Sequence, residues 1–285
     1  MDRSSARIFA RLDTRSPKLS AILLLLLTGV VALIASMLPR IPQPQAYHLF
    51  ADRRSFFGIP NFGDVASNLP FAVIGIWGLL WLLSSNSDCR FLDPRERWPY
   101  AFAFLGLLLT AIGSSYYHLS PDNARLLWDR LPMTITFMAM VAAMIAERIS
   151  VRAGLSFLPL LLLIGVSSVL QWYASEARGA GDLRFYAAVQ TCSALVLLLA
   201  LIFPKRYTRS SDLAVVVGFY AFAKVLEIFD KPIFAAQHIV SGHTLKHLAA
   251  AAAGYWILRM LQKRQPVTAQ PSAIIRLSER QLEGA

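Results

Sequence analysis

The sequence contains little charge and almost no cysteine. Charged residues make up 16% of the 285 residues, whereas a soluble domain carries about a quarter. The two cysteines, Cys89 and Cys192, cannot build a disulfide framework and form no CxxC metal-binding pair. These shortages exclude a domain stapled by disulfides and a zinc site made of paired thiolates. They leave the redox compartment open.

Acidic residues are scarce as well, since Asp and Glu number 17 against 28 Lys and Arg, and the formal net charge is +11. A basic chain binds nucleic acid when its positive residues cover one face of a soluble domain. Here the positive residues lie in short loops and tails between long apolar runs, which is typical of residues that set membrane topology. No nucleic-acid partner is therefore expected.

Apolar residues, in contrast, make up 56% of the chain and occur in long runs. A helix that crosses the roughly 30 Å hydrocarbon core of a bilayer needs about 20 mostly apolar residues. Eight segments meet or nearly meet this length: 19–39, 67–84, 99–118, 131–147, 154–173, 185–203, 212–230 and 243–262. With short loops and no internal repeat, they predict an all-α fold, a polytopic transmembrane helical bundle in the lipid bilayer.

The runs also divide the chain into parts. Residues 1–18 form a basic tail, 19–39 an extra N-terminal transmembrane helix, 40–264 the main domain, and 265–285 a polar tail expected to be disordered. The basic tail and the run after it resemble a signal peptide. The run continues to about Leu38, however, and no small-x-small cleavage site stands out beyond it. An uncleaved helix is the favoured interpretation.

Positive residues are distributed unevenly between the two sides of these segments. With the N-terminus inside, eighteen Lys and Arg residues fall on the cytoplasmic side and eight on the opposite side. Cytoplasmic loops of membrane proteins carry the excess of positive residues. The sequence therefore predicts a multi-pass protein whose N- and C-termini are both cytoplasmic.

Ionisable residues inside a bilayer are costly and usually functional, which makes the five histidines informative. Two of them form His243-Thr-Leu-Lys-His247 at the start of the last segment. A spacing of four residues places both imidazoles on one helix face, one turn apart, as in many zinc sites. Two unrelated histidines at the membrane interface are the alternative interpretation.

A third histidine, His118, ends the segment 99–118. On the predicted topology this end and the start of the last segment both lie on the extracytoplasmic side, so three imidazoles arrive at one depth. Ser114 lies one turn before His118, and Asp129 begins the next segment. Beside a zinc ion, a carboxylate accepts a proton from water and a hydroxyl donates to an oxyanion. Taken singly, Ser114 is typical of helix packing and Asp129 of a helix cap or an arginine partner.

These residues together resemble a known family. Ser114-x-x-x-His118, then Asp129 in Trp-Asp-Arg-Leu-Pro-Met, then His243-x-x-x-His247 have the order and spacing of the alkaline ceramidase family. That family belongs to a membrane-hydrolase superfamily that includes the adiponectin-type receptors. Each motif is weak alone, and the combination is specific.

The resemblance extends over roughly residues 52–262 and implies a seven-helix hydrolase domain, to which this chain adds one N-terminal helix. It implies Zn²⁺ held by the three histidines, with Asp129 and Ser114 as catalytic residues that act on the attacking water and the carbonyl. The implied reaction cleaves the amide bond of a ceramide-like membrane lipid, giving a long-chain base and a fatty acid.

One part of the family pattern is altered here. Animal ceramidases of this family carry an acidic calcium-binding stretch before their first core helix, and the corresponding segment of this chain contains Arg53 and Arg54. Its candidate oxygen ligands for Ca²⁺ are Asp52, Asn61 and Asp64. A turn in which Ser67 or Asn68 caps the next helix explains the same segment and is favoured over Ca²⁺ binding.

A further charged cluster consists of Lys224, Glu227 and Asp230, spaced three apart near the end of the seventh segment. This spacing places neighbours on one helix face, where they pair with each other. The alternative is that Glu227 or Asp230 orients a zinc-ligand histidine. His48 and His238 fall in predicted loops, where surface or interface positions are expected.

Two other classes of function compete with a ceramide hydrolase. A receptor-like membrane protein would use zinc to lock helices together, and a structural site has four protein ligands. No cysteine lies near these histidines to close the site. A hydrolase of another lipid amide or ester is equally compatible with the residues, because the sequence does not reveal the pocket. A transporter lacks support, since no repeat or glycine-broken helix pair is present.

Overall fold

The computed structural model describes residues 17–267. Most of the predicted basic tail and of the predicted disordered tail therefore lies outside the described residues. The described chain is all-helical, as predicted, and contains no strand within residues 17–267. Its α-helices are α1 (Pro17–Met37), α2 (Phe62–Ala66), α3 (Leu69–Leu83), α4 (Arg97–Leu119), α5 (Asn123–Arg148), α6 (Val151–Ala177), α7 (Arg184–Leu199), α8 (Asp212–Ile228), α9 (Asp230–Gln237) and α10 (Gly242–Lys263).

Six helical segments of the described chain are long and apolar enough to cross a membrane. They are Pro17–Met37, Phe62–Leu83, Pro94–Leu119, Asn123–Arg148, Val151–Ala177 and Arg184–Ile202. The two remaining predicted spans correspond to α8, which has 17 residues, and α10, which has 22 residues but carries His243, Lys246 and His247. The polar residues that make α10 chemically interesting also make it less apolar.

The bundle is apolar on its outside. Leu25, Leu83, Ile112 and Ile228 are each more than 60% exposed along the helices. An apolar exterior is stable in lipid, where it contacts acyl chains, and is costly in water. The described helices thus have the surface of an integral membrane protein.

Helices α4, α5 and α6 pack in sequence order, α3 packs against α4, and α10 packs against α8 and α3. Their buried apolar side chains form one large cluster. Helix α1 contacts mainly α7, and only Ser20, Leu24 and Ala35 of α1 are buried. The extra N-terminal helix therefore lies at the periphery and contributes no residue to the site described below.

Helix α5 begins earlier than the apolar pattern predicts. The Asp122 carboxylate accepts a hydrogen bond of 2.7 Å from the backbone N–H of Arg125 and caps the helix. The first two turns of α5 carry polar residues, so a search for apolar runs does not detect these turns. As a result Asp129 lies in the second turn of α5 and is buried, not at the helix start.

Some arginines that the topology count treats as loop charges are buried. Glu147 at the end of α5 pairs with Arg264, which follows α10, and accepts a 2.7 Å hydrogen bond from Tyr100. Glu147 and Arg264 are 2% and 1% exposed, and the Arg264 guanidinium lies 4.0 Å from the centre of the Tyr207 ring. This network ties α4, α5 and the end of α10 together at the end of the bundle away from the histidines.

Candidate metal centre

Three histidine side chains meet at one end of the bundle. His118 comes from the last turn of α4, and His243 and His247 come from the first turns of α10. Their ring centroids are 4.8 to 5.0 Å apart, and one ligand nitrogen from each lies within 4.8 Å of the others. The three residues are at most 4% exposed. They form a buried cluster that could hold a metal ion, the one such group among residues 17–267.

The first turn of α10 is fixed by its contacts with α8 and α9. A Cβ atom on Gly242 would lie 2.4 Å from the carbonyl oxygen of Leu226 and 2.7 Å from Cα of Asp230, so only glycine allows this approach. The Asp230 carboxylate accepts a 2.8 Å hydrogen bond from the His243 backbone N–H. A carboxylate at a helix N-terminus is also favoured by the helix dipole. These contacts fix the position of His243 along the axis of the bundle.

Asp64 of α2 holds the same helix start from the other side. One of its oxygens, Oδ1, accepts hydrogen bonds from the hydroxyls of Thr244 at 2.7 Å and Ser241 at 3.3 Å. Ser241 is the N-cap of α10, and its hydroxyl accepts from the Thr244 backbone N–H at 3.0 Å. The buried α2 carboxylate is therefore part of the scaffold beneath the histidine pair.

The Ser67 hydroxyl lies 2.8 Å from Nδ1 of His247. The predicted side-chain cap of the second helix by Ser67 or Asn68 is wrong, because α3 has no side-chain cap. The Asn68 amide instead donates to the Asp64 backbone carbonyl at 2.8 Å. With Nδ1 occupied by Ser67, the Nε2 atom of His247 is the one left to ligate a metal.

His118 is positioned by α5 and by the segment before α2. A Cβ atom on Gly113 would lie 2.0 Å from the Trp128 carbonyl oxygen, so α4 and α5 come closest one turn from His118. The Asn61 amide donates to the His118 backbone carbonyl at 2.8 Å. The centroid of the Phe50 ring lies 4.7 Å from that of His118 and 4.4 Å from that of His243. This apolar ring packs against one side of the cluster.

The cluster fits a metal ion chemically. Nδ1 and Nε2 of His118 and Nε2 of His243 are buried and have no hydrogen-bond partner within the described chain, which is costly for polar atoms. Zinc lies about 2.0–2.1 Å from each imidazole nitrogen, so a tetrahedral site separates the nitrogens by about 3.4 Å. Imidazole suits several transition metals, so the identity of the ion stays a prediction.

Ser114 lies one helix turn before His118 on α4, and Asp129 lies on α5 at the close contact between Gly113 and that helix. Both are buried, at 2% and 8% exposure, and the Ser114 hydroxyl lies within interaction range of the Asp129 carboxylate. The Asp129 carboxylate also experiences the positive charge of Lys246, which lies between the two histidines in the α10 sequence. Asp129 does not belong to the ligand group. Among residues 17–267 the candidate ligand group therefore consists of three histidines.

The predicted cluster of Lys224, Glu227 and Asp230 divides into two parts. Glu227 forms 2.9 Å ion pairs with both Lys224 and Lys246 and accepts a 3.1 Å hydrogen bond from the Tyr47 hydroxyl. Asp230 instead bonds backbone N–H groups, including that of His243. Neither carboxylate bonds an imidazole in the described chain. Glu227 therefore has the expected pairing role, and Asp230 holds the start of α10.

The candidate calcium ligands have protein partners. Asp52 accepts hydrogen bonds of 2.8 Å from both Nε and Nη2 of Arg54, and these bonds lower the pKa of its carboxyl. Asn61 donates to His118 and Asp64 accepts from Ser241 and Thr244, as described above. The segment therefore acts as a clamp on the histidine cluster, and Ca²⁺ binding stays an untested alternative.

The two histidines outside the cluster behave as expected. His48 makes hydrogen bonds with the Tyr117 hydroxyl at 2.8 Å and with Asn123 at 3.0 Å. His238 is exposed and ends α9 in a left-handed conformation, with φ of 54°. Neither lies among the candidate ligands.

Two cavities share part of their lining, and none of the three histidines lines either, although Lys246, next to His247 in the chain, lines the larger one. The first, of about 660 Å³, is lined by Asp129, Arg130, Lys224, Glu227 and Lys246 among other residues. The second, of about 130 Å³, is almost wholly apolar and lies between α4, α5, α7, α8 and α10. Six residues line both: Met133, Gln190, Ala194, Val217, Tyr220 and Ala250. The combined space has a charged end at Asp129 and an apolar end in the bundle.

Sequence reasoning missed several residues that build the site. Ser67 and Phe50 are each separated by many residues from the histidines that they contact. Lys246 was detectable from the sequence, because a lysine within a predicted transmembrane segment is costly and usually functional. No family model matches the chain, and no curated protein is similar to it. The geometry of the site therefore carries the functional argument.

Proposed function

We propose that this protein is a zinc-dependent intramembrane hydrolase that cleaves the amide bond of ceramide-like lipids to a long-chain base and a fatty acid. The observation that supports it is a buried trio of imidazoles, three of whose nitrogens lack protein partners, next to the buried pair Ser114 and Asp129. Asp129 lines a cavity whose charged end shares lining residues with an apolar cavity, which suits an amphiphilic lipid. The sequence resemblance to alkaline ceramidases points to the same reaction.

The histidines would hold the ion, with Ser67 fixing the ring of His247 through Nδ1. When bound, zinc would supply Lewis-acid chemistry, since it lowers the pKa of its bound water to about 7 and polarises a carbonyl oxygen. Three protein ligands and one open position are typical of catalytic zinc, whereas a structural site has four protein ligands. This distinction favours an enzyme over a receptor-like protein with structural zinc.

Asp129 is the proposed general base. Its buried carboxylate accepts a proton from the attacking water as the new C–O bond forms, then returns that proton to the amine nitrogen as the C–N bond breaks. Ser114, next to Asp129, donates a hydrogen bond to the oxygen on which negative charge develops. The apolar cavity accommodates the acyl chain while the reacting carbonyl remains at the charged end.

We also propose that the bundle is a seven-helix core with α1 as an added helix, that both termini are cytoplasmic and that the site faces the extracytoplasmic side. The asymmetry of positive residues in the sequence supports this orientation. Cysteine labelling from each side of sealed vesicles tests it, with single cysteines at exposed Arg53 and exposed Arg95 on the two predicted faces.

The decisive experiment measures metal content and hydrolysis on the same purified protein. Fluorescent ceramides and other lipid amides and esters are incubated with the protein before chelation, after chelation and after zinc is restored. Amide hydrolysis that disappears with chelator and returns with zinc is expected. Stoichiometric zinc without hydrolysis of any lipid would instead favour the receptor-like class, and preferential ester hydrolysis would replace ceramide as the substrate.

A further inference from the structure

The charged end of the larger cavity carries more positive than negative side chains. Three basic and two acidic residues line it: Arg130, Lys224, Lys246, Asp129 and Glu227. A charge excess in a partly buried space is unfavourable unless a ligand or solvent compensates it.

Arg130 contributes a fixed positive charge with mostly neutral neighbours. It is 5% exposed and forms no ion pair with any residue between 17 and 267. Its Nη2 donates to Gln43 at 2.6 Å, and its guanidinium lies 4.2 Å from the Trp172 ring and 4.9 Å from the Tyr186 ring. Aromatic faces and an amide hold the group in place, and the Asp129 carboxylate, which lines the same cavity, offsets part of its charge without pairing with it directly.

Lys246 contributes a charge that is only partly satisfied. Its ammonium has three donors and one acceptor in the described chain, Oε1 of Glu227 at 2.9 Å. That carboxylate is shared, because its other oxygen pairs with Lys224 at 2.9 Å and Oε1 also accepts from Tyr47. Donors of Lys246 therefore remain for a ligand in the cavity that it lines.

The neighbouring apolar cavity defines the remainder of the ligand. It continues from the charged cavity through shared lining residues and offers an almost wholly apolar wall. A small inorganic anion would leave this space empty, and a plain hydrocarbon would leave the cationic end without a partner. A molecule with one oxyanion and one hydrocarbon chain satisfies both ends.

We infer that this cavity selects amphiphilic lipids whose polar head carries a carboxylate or a phosphate, recognised by Lys246 and Arg130. The inference rests on the proposed function for the place of the acyl chain, and it narrows the proposed ceramide-like substrates to those that carry an anionic group on the amine side. Lys246 and Arg130 thereby determine specificity, while Asp129 and Ser114 act on the amide.

The test is a binding measurement that does not depend on catalysis. N-dodecylsulfonylglycine and N-dodecylsulfonylethanolamine share a chain and an uncleavable sulfonamide, and they differ in a carboxylate against a hydroxyl. Their dissociation constants for the purified protein in non-ionic micelles are measured by calorimetry, with dodecyl phosphate against dodecanol as the phosphate arm. We expect at least one oxyanion to bind about ten- to a hundredfold more tightly than its neutral partner, as for a charge-assisted contact.

Variants assign the preference to residues. Lys246→Gln is expected to reduce the preference for the oxyanion over its neutral partner to less than about threefold, whereas Lys246→Arg is expected to retain it. Lys231→Gln, at an exposed position outside the cavity, should leave the preference unchanged. Elution as a single species by gel filtration and retained metal content establish that Lys246→Gln is folded. If that variant fails to fold, Arg130→Gln is measured in the same way and is expected to reduce the preference.

The results separate this inference from the proposed function. Equal binding of charged and neutral partners to the wild-type protein overturns the inference, even if neutral ceramides are hydrolysed in a zinc-dependent reaction. Selective binding of oxyanions without hydrolysis of any amide supports the inference and contradicts the proposed reaction. A preference that persists unchanged in folded Lys246→Gln and Arg130→Gln proteins also overturns it.

Discussion

Ser67 bonds directly to one of the three candidate metal ligands, since its hydroxyl lies 2.8 Å from Nδ1 of His247. The two residues are 180 positions apart in the chain, yet both are buried at the same point. The same hydroxyl lies 3.1 Å from the Asp64 carbonyl oxygen. This bond selects the tautomer and the ring orientation in which His247 presents Nε2 to the centre of the cluster.

Removal of the Ser67 hydroxyl is expected to weaken metal binding without abolishing it. Partners of this kind typically contribute about 10- to 100-fold in metal affinity, so Ser67→Ala should lose zinc to a competing chelator at a correspondingly lower chelator concentration. Ser84→Ala is the matched control, because the Ser84 hydroxyl bonds only the nearby Trp81 carbonyl. Equal zinc affinity in Ser67→Ala and the wild type would show that the bond does not support the ligand.

Substitution of a ligand histidine is expected to release the metal. Purified His118→Ala, His243→Ala and His247→Ala should each contain far less zinc than the wild-type protein by elemental analysis, because two imidazoles do not complete the site. His238→Ala is the control, since that exposed histidine lies outside the cluster and should retain full zinc. Undiminished zinc in the three cluster variants would place the metal elsewhere.

Replacement of the proposed base is expected to separate metal binding from turnover. Asp129→Asn preserves size and polarity but cannot accept the proton, so the rate of lipid amide hydrolysis should fall about 10²- to 10⁴-fold. Zinc content should remain that of the wild type, because Asp129 is not in the ligand group. Full turnover by a zinc-containing Asp129→Asn protein would exclude the proposed role.

The ion pair between Glu147 and Arg264 is expected to support stability rather than the site. Glu147→Gln leaves a buried guanidinium without its carboxylate, and loss of one partner of a buried pair costs about 3–5 kcal/mol of unfolding free energy. The melting temperature should fall clearly, with zinc content retained in the folded fraction. Asp93→Asn, which removes the partner of exposed Arg95, should leave the melting temperature nearly unchanged. A similar small effect in both variants would contradict the network's role.

Acid is expected to weaken the hydrogen bonds between Asp52 and Arg54. Hydrogen bonds from Arg54 lower the pKa of Asp52 in the folded protein, so its stabilisation is fully present above the unfolded pKa of about 3.9. It is lost as the pH falls through the lower folded value. The difference in melting temperature between the wild type and Asp52→Asn should therefore be constant from neutral pH to about pH 5 and shrink below about pH 4. A difference that grows on acidification would reverse the assigned sign.

Much of the helical architecture was predictable from the sequence, because apolar length is a local property. The segments around α4, α6 and α7 were predicted to within a few residues of their observed bounds. The start of α5 was not predicted, because the first turns of this helix are polar and Asp122 caps its N-terminus. Arg130 was treated as a loop charge for the same reason, although it is buried in the second turn of that helix.

The histidine cluster was predictable in part. A spacing of four residues identifies His243 and His247 as neighbours on one helix, and helix direction brings His118 to the same depth. The support around them was not predictable. Ser67, Phe50 and Asn61 reach the cluster through side-chain orientations that depend on how α2 and the preceding segment fold over α4 and α10.

The sequence by itself determined that the chain forms apolar helices and that few polar residues remain within them, since both follow from composition along short stretches. Only the tertiary structure decided which polar residues meet. Imidazoles from α4 and α10 meet because close helix contacts at Gly113 and Gly242 fix the relative heights of the helices. Asp129 of α5 and Lys246 of α10 line one cavity for the same reason. Such heights depend on the packing of many side chains at once, and no local pattern encodes them.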